Sequence, residues 1–125
     1  MSNVHGVRNY IAGGTIAQYR FVKPGAADGE VLQAAAATDN IIGVCIQPGG
    51  AVAGERVDVQ YSGIAEVEFV GVVARGALVT SDATGKGIAP APAAGSNVRV
   101  GGIAEVTTAA NDIARMLIAL GSFQG

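Results

Sequence analysis

The residues able to do chemistry in this chain are few and scattered. A single histidine, His5, and a single cysteine, Cys45, stand far apart in sequence. A Ser-His-Asp or Cys-His constellation would have to be built around His5, in a stretch without core periodicity, so His5 reads as a solvated side chain. One His and one Cys do not make a zinc site. Gly85-Lys86 matches the end of a phosphate-binding loop, but that template wants Gly at 80 and Ser or Thr at 87, where Thr80 and Gly87 stand. A hairpin turn is the better reading. Glu66 and Glu68 alternate along one strand and share a face about 7 Å apart. A glycosidase can use such a pair, given an aromatic-lined cleft. A chain with no Trp, three Tyr and three Phe is poorly equipped to line one, so the pair reads as a solvent-facing polar edge. Asp28, Glu30 and Asp39 lack the spacing of a calcium loop. The expectation is a protein without catalytic residues, metal or cofactor.

The elements that would position any site read as β. Residues 1–14 are polar and glycine-punctuated, and read as a flexible N-terminal arm ahead of a single β-rich domain over 15–125. Thr15 to Val22 offers a strand with Ile16, Tyr19, Phe21 and Val22 as its bulky members, closed by Lys23-Pro24-Gly25. Residues 26–39 are ambiguous, because Ala34–Ala37 favours helix while the flanks look like loop. Ile41 to Ile46 is a continuous β-rich run. The clearest pattern follows: Val57, Val59 and Tyr61 alternate with Arg56, Asp58 and Gln60, and beyond a turn or bulge at Ser62-Gly63, Ala65, Val67 and Phe69 alternate with Glu66 and Glu68. This predicts an antiparallel pair with Val57, Val59, Tyr61, Ala65, Val67 and Phe69 turned inward. Residues 78–89 read as another hairpin, with its turn over 82–87. The run from Asp112 to Leu120 fits either a helix or a final strand, and its neighbours favour the strand. Gly63-Ile64-Ala65-Glu66-Val67 recurs as Gly102-Ile103-Ala104-Glu105-Val106. Two copies this short mark either equivalent strand starts or coincidence.

Composition narrows the function classes. Half of the 125 residues are hydrophobic, yet Ala, Val and Ile supply most of them, and 19 glycines punctuate the chain. Small side chains bury little apolar area each, so such a core gains from oligomerisation or a partner surface. The net charge is −2 and the eight Lys and Arg are scattered. Nucleic-acid binding, which needs a basic patch to release counterions, is not expected. Cys45 sits in an apolar run and reads as a small buried hydrophobe, compatible with assembly in a reducing cytoplasm. Residues 1–8 hold no apolar stretch for a signal peptide, and no run approaches the ~20 residues of a membrane helix. The expectation is a soluble protein, not exported by a classical signal.

Several segments together resemble the middle of bacteriophage capsid decoration (cement) proteins. They are Asn40-Ile41-Ile42-Gly43-Val44, Gly54-Glu55-Arg56-Val57-Asp58-Val59-Gln60, Ser62-Gly63-Ile64-Ala65-Glu66-Val67, the stretch from Arg75 to Lys86, and that from Ala110 to Ile118. The resemblance rests on their order and spacing from about Thr15 to Leu120. It implies an all-β protein, a small β-barrel or β-sandwich, made in the host bacterial cytoplasm and placed on the outer surface of the virion capsid. It further implies binding to the major capsid protein, self-association with a trimer favoured, and no catalytic residues. Within that frame, Val4, Val7, Tyr10 and Ile11 are the arm residues expected to contact the capsid or a neighbouring copy, since a free tail gains little by carrying apolar groups. Loops 47–55 and 90–95 offer Pro48, Val52, Pro90 and Pro92 as further contacts. The competing expectation is a virion-surface module that recognises host carbohydrate or protein.

Overall fold

The computed structural model describes residues 4–92 and 94–124, with the side chains of Val4 and His5 outside that description. Among the described residues there are nine strands and no helix. In chain order they are β1 (Val4–Ala12), β2 (Phe21–Pro24), β3 (Glu30–Gln33), β4 (Gly43–Cys45), β5 (Arg56–Glu68), β6 (Leu78–Ser81), β7 (Gly87–Ile88), β8 (Asn97–Ala104) and β9 (Ile113–Gln124).

Strand β5 organises the molecule. In its first half Val57 and Val59 are fully buried, as their alternation requires. At Ser62-Gly63 the chain does not turn back. Gly63 has φ +85°, and the buried Gln60 side chain donates to the Ser62 and Ile64 carbonyls, both at 2.9 Å. A glycine in the left-handed region lets a strand bulge and change neighbours instead of reversing. The antiparallel pair expected over 57–69 is therefore one long strand that belongs to two sheets.

The first sheet runs β1-β3-β2-β4-β5 and closes on itself through β1–β5 pairing from Val4↔Gly63 to Ile11↔Arg56. The result is a closed five-stranded barrel. Its interior holds Ala12, Ile16, Val22, Val31, Cys45, Ala51, Val57 and Val59, with Tyr10 and Ile42 at the margin. A barrel of so few strands has a narrow lumen, and short side chains fill it. That accounts for the Ala/Val-rich composition. Burial pushes the Cys45 thiol above its usual range, with Asp58 adding to the effect and a backbone hydrogen bond from Gln47 opposing it.

The second sheet takes the end of β5, then β9, β8, β6 and β7. It packs on the outside of the barrel. Phe21, Ala34, Ile41 and Val44 face Ala65, Val67, Phe69, Val73, Val79, Ala104 and Met116 in a second core that carries the largest buried side chains. A latch joins the β6–β7 hairpin to the barrel. Arg20 donates to Glu68 Oε1 through Nε (3.2 Å) and Nη2 (3.1 Å), Lys86 Nζ lies 3.4 Å from Glu68 Oε2, and the Thr84 carbonyl accepts from Arg20 and Gln33.

Several expectations need correction. The N-terminal segment is no arm from Val4 to Ala12: it is barrel strand β1. Gly6, Tyr10 and Ala12 take its more buried positions while Val7 and Ile11 point out, so its hydrophobic pattern is inverted. Residues 1–3 lie outside the described residues. The strand expected over 15–22 is broken at Tyr19, whose φ is +70°, leaving an Ile16↔Ala51 bridge and a later strand β2. The ambiguous stretch holds β3 and no helix. Tyr61, expected inside, is 43% exposed, because it lies against Gly6 at the barrel's end, beyond the packed interior. Val57, Val59, Ala65, Val67 and Phe69 are buried as expected. Residues 78–89 form the expected hairpin, and the C-terminal run is a strand.

Ion pairing at the β2–β4 corner makes stability depend on pH. Burial alone would raise the Asp39 carboxyl. The Ala35 N–H (2.8 Å), the Lys23 ammonium (3.0 Å) and the Ala36 N–H outweigh it and hold the carboxyl below its ordinary value. A depressed carboxylate contributes stability above its unfolded pKa of roughly 4 and loses it as pH falls through the folded value. Wild type should therefore exceed Asp39→Asn in melting temperature at pH 7, with the gap closing below about pH 4. A gap that is constant down to pH 3 would show that the carboxylate is not the cause.

Candidate interaction surface

The short repeat noted in the sequence finds its meaning in the second sheet. Strand β9 lies between β5 and β8, and the two copies flank it at the same register. Leu117 pairs with Ile64 on one side and Ile103 on the other, and Met116 pairs with Ala65 and Ala104. Arg115 pairs with Glu66, and its carbonyl accepts from Glu105 N at 3.1 Å. The copies are not strand starts, since Gly63 lies within β5 and Gly102 to Ala104 end β8, but they hold equivalent positions on the two sides of β9.

Paired residues across a sheet share a face. Met116, Ala65 and Ala104 turn inward and are buried. The next row therefore turns outward, and it continues one strand further because Ile103 pairs with Leu78 on β6. Ile64, Leu117, Ile103 and Leu78 form an unbroken aliphatic row across four strands, roughly 14 Å long at ~4.8 Å per strand. Leu117 is 40% exposed at its centre. The adjoining row places exposed Glu66 opposite exposed Arg115, beside an open groove lined by Glu66, Val106, Asp112, Ile113, Ala114 and Arg115. An apolar row next to a balanced charge pair is suited to docking against a protein surface.

The contact residues expected from sequence fall on two regions. Val7 and Ile11 are exposed on the barrel wall, and Val52, 53% exposed, lies in the loop whose Gly54 and Glu55 bond to Ala12. Pro48 is exposed in the turn whose Gly49 N–H donates to Gln18. Tyr10 is half-buried against the barrel core, and the Val4 side chain lies outside the described residues. Pro90 and Pro92 are half-buried and outside any strand, after β7 in the other half of the molecule. The structure does not gather these residues into one site. Sequence reading missed the aliphatic row, although the repeated Ile-Ala-Glu was its signal.

The chemistry-bearing residues also disperse. Glu68 is held in the latch while Glu66 is exposed on the sheet, so the two carboxylates serve no common site. The Asp82 carboxylate accepts from the Thr84 and Lys86 N–H groups, which fixes the hairpin turn around Gly85-Lys86. Among the described residues no three His, Cys, Asp or Glu side chains gather to hold a metal ion, and no helix is long and apolar enough to cross a membrane.

In sequence, no protein-family model and no curated protein matches the chain. In structure it is similar to the head fiber gp8.5 N base in bacteriophage phi29, with a TM-score of 0.67 at 17% identity. The superposition covers 91% of this chain and 93% of that one, so the barrel and the attached sheet recur together as one fold.

Proposed function

We infer that the chain is a structural protein of a phage virion, bound to the outer surface of the expanded capsid, where it ties neighbouring capsomers together without chemistry. The near end-to-end fold likeness to the base of a phage head fiber carries this reading. The outward aliphatic row and the exposed Val7, Ile11 and Val52 supply apolar contacts for the major capsid protein. A protein that binds only the expanded lattice stabilises that state by mass action. Modest contacts from several copies then sum through multivalency.

The test is reconstitution. Purified chain should co-sediment with emptied, expanded capsids that lack it, and saturate at a fixed number of copies. Decorated particles should retain DNA to higher temperature and through osmotic shock. Leu117→Lys, at the centre of the row, should weaken capsid binding by about tenfold or more while leaving the melting temperature unchanged. Particles equally robust with and without the chain, together with binding to host carbohydrate or protein, would instead favour an adhesion module.

A further inference from the structure

Strand β9 has a second property that the aliphatic row does not use. Its first half lies between β5 and β8, but β5 leaves it at Ile64 to enter the barrel. From Ile118 to Gln124, β9 pairs with β8 alone, and among the described residues no backbone group meets its other edge. Among the described residues, no strand fills the position beside it. Residues 119–124 are all exposed, with Leu120 at 46% and Phe123 at 40%.

Open edges of this length are normally guarded. Lysine, proline or an inward charge blunts them, because unpaired N–H and C=O groups recruit other strands. Between Met116 and Gln124 the sequence Met-Leu-Ile-Ala-Leu-Gly-Ser-Phe-Gln has no charge and no proline. At the far end of the sheet, β7 has two residues, and Gly87 is bridged to Phe69. The barrel closes through β1 and β5, but β1 meets β3 only at Ile11 and Ala12, so its Val4–Tyr10 edge is open and is guarded by the exposed Arg8. The β8 edge opposite β9 is met by the Ala37 carbonyl, which accepts from Arg99 N at 2.7 Å.

We propose that this edge pairs with the same edge of a second copy, β9 against β9, antiparallel about a two-fold axis. The choice of occupant follows from what a copy can offer: of its two long open edges, that of β1 from Val4 to Tyr10 carries the exposed Arg8, while that of β9 carries no charge and can meet its own like. A self-pairing strand makes an isologous contact, in which residue i meets j and j meets i. Neutrality suits this arrangement, since any charge on the strand would face its own like across or near the axis. The joint sheet would continue across both copies, spanning about 24 Å over seven residues at ~3.4 Å each, and would cover Leu120 and Phe123. A bare edge buries less than the ~800 Å² per partner of a standard interface, so affinity in solution should be micromolar, and firm only where copies are held on a lattice. This contact makes dimers alone, and joins neighbouring oligomers when copies also associate through another face.

The test compares wild type with a Leu120→Lys/Ser122→Lys variant by analytical ultracentrifugation between about 1 and 100 μM, the range that brackets micromolar affinity. Both sites are exposed, and circular dichroism checks that the variant is folded. Wild type should reach twice the mass of the lysine variant at the upper concentration. Mixing the lysine variant with Leu120→Glu/Ser122→Glu should restore the doubled mass, because unlike charges then meet across the axis. Amides of residues 118–124 in wild type should gain protection from hydrogen exchange as concentration rises. Equal masses throughout, or a charge-swapped mixture that stays at the lower mass, would overturn the proposal. So would protection of 118–124 that appears only when capsids are added, which would assign the edge to a strand of the capsid protein.

Discussion

A chain lacking residues 1–12 is expected to lose its fold. Strand β1 pairs with β5 at seven residues between Val4 and Ile11, and with β3 at Ile11 and Ala12. Removing it opens the barrel on two sides at once. Ala12 N also donates to Glu55 and Ile11 N to Gly29, so two loops lose their anchors. Val57 and Val59, both fully buried, would face water on the strand that also builds the second sheet. Net stability of a domain this size is about 5–15 kcal/mol, and the loss of one barrel strand in five exceeds any plausible surplus. Circular dichroism and a single thermal scan of the truncated chain decide the matter. A cooperative transition near the wild-type temperature would mean that the barrel does not need β1.

That result also measures how far the fold can be read from sequence. The alternating strands around Val57, Val59, Ala65 and Val67 were legible because a half-buried strand writes itself in period two. The hairpin at 78–89 was legible through its turn residues. Strand β1 was not, because a narrow barrel leaves room inside for Gly6 and Ala12 while Val7 and Ile11 stand on its outer wall. Pattern reading assigns the larger apolar residues to the interior, and here the geometry reverses that. Ser62-Gly63 reads as a turn or a bulge, since both need the same glycine, and the structure has the bulge. What separates them is Gln60, whose buried amide holds the two flanking carbonyls. Its sequence neighbours make it look like an outward polar residue. The aliphatic row depended on register across four strands, which no single segment encodes.

Phe69→Ala is expected to cost about 3–5 kcal/mol, roughly 10–20 °C in melting temperature for a domain of this size. Phe69 is fully buried in the core between barrel and sheet. Its backbone is fixed on both sides: Phe69 N donates to the Asp112 carbonyl at 2.7 Å, and Asn111 N donates to the Phe69 carbonyl at 2.9 Å. A residue so held cannot move to let the site collapse, so the cavity term should be near its upper range. The ring lies directly on Gly87, where an added Cβ would come within 2.8 Å of two ring carbons. Gly87 has no positive φ, so alanine there is opposed by the ring, and less closely by Val79 Cγ1 at 3.0 Å, and not by its own backbone. Gly87→Ala alone should therefore destabilise by about 1–3 kcal/mol through overpacking. In the Phe69→Ala background the new methyl enters vacated space, and the same substitution should be neutral or restore part of the loss. Urea denaturation of the four proteins gives the coupling, expected to exceed about 1 kcal/mol. Additive costs, or a Phe69→Ala protein that melts with wild type, would place the ring outside the contact that joins the two halves of the molecule.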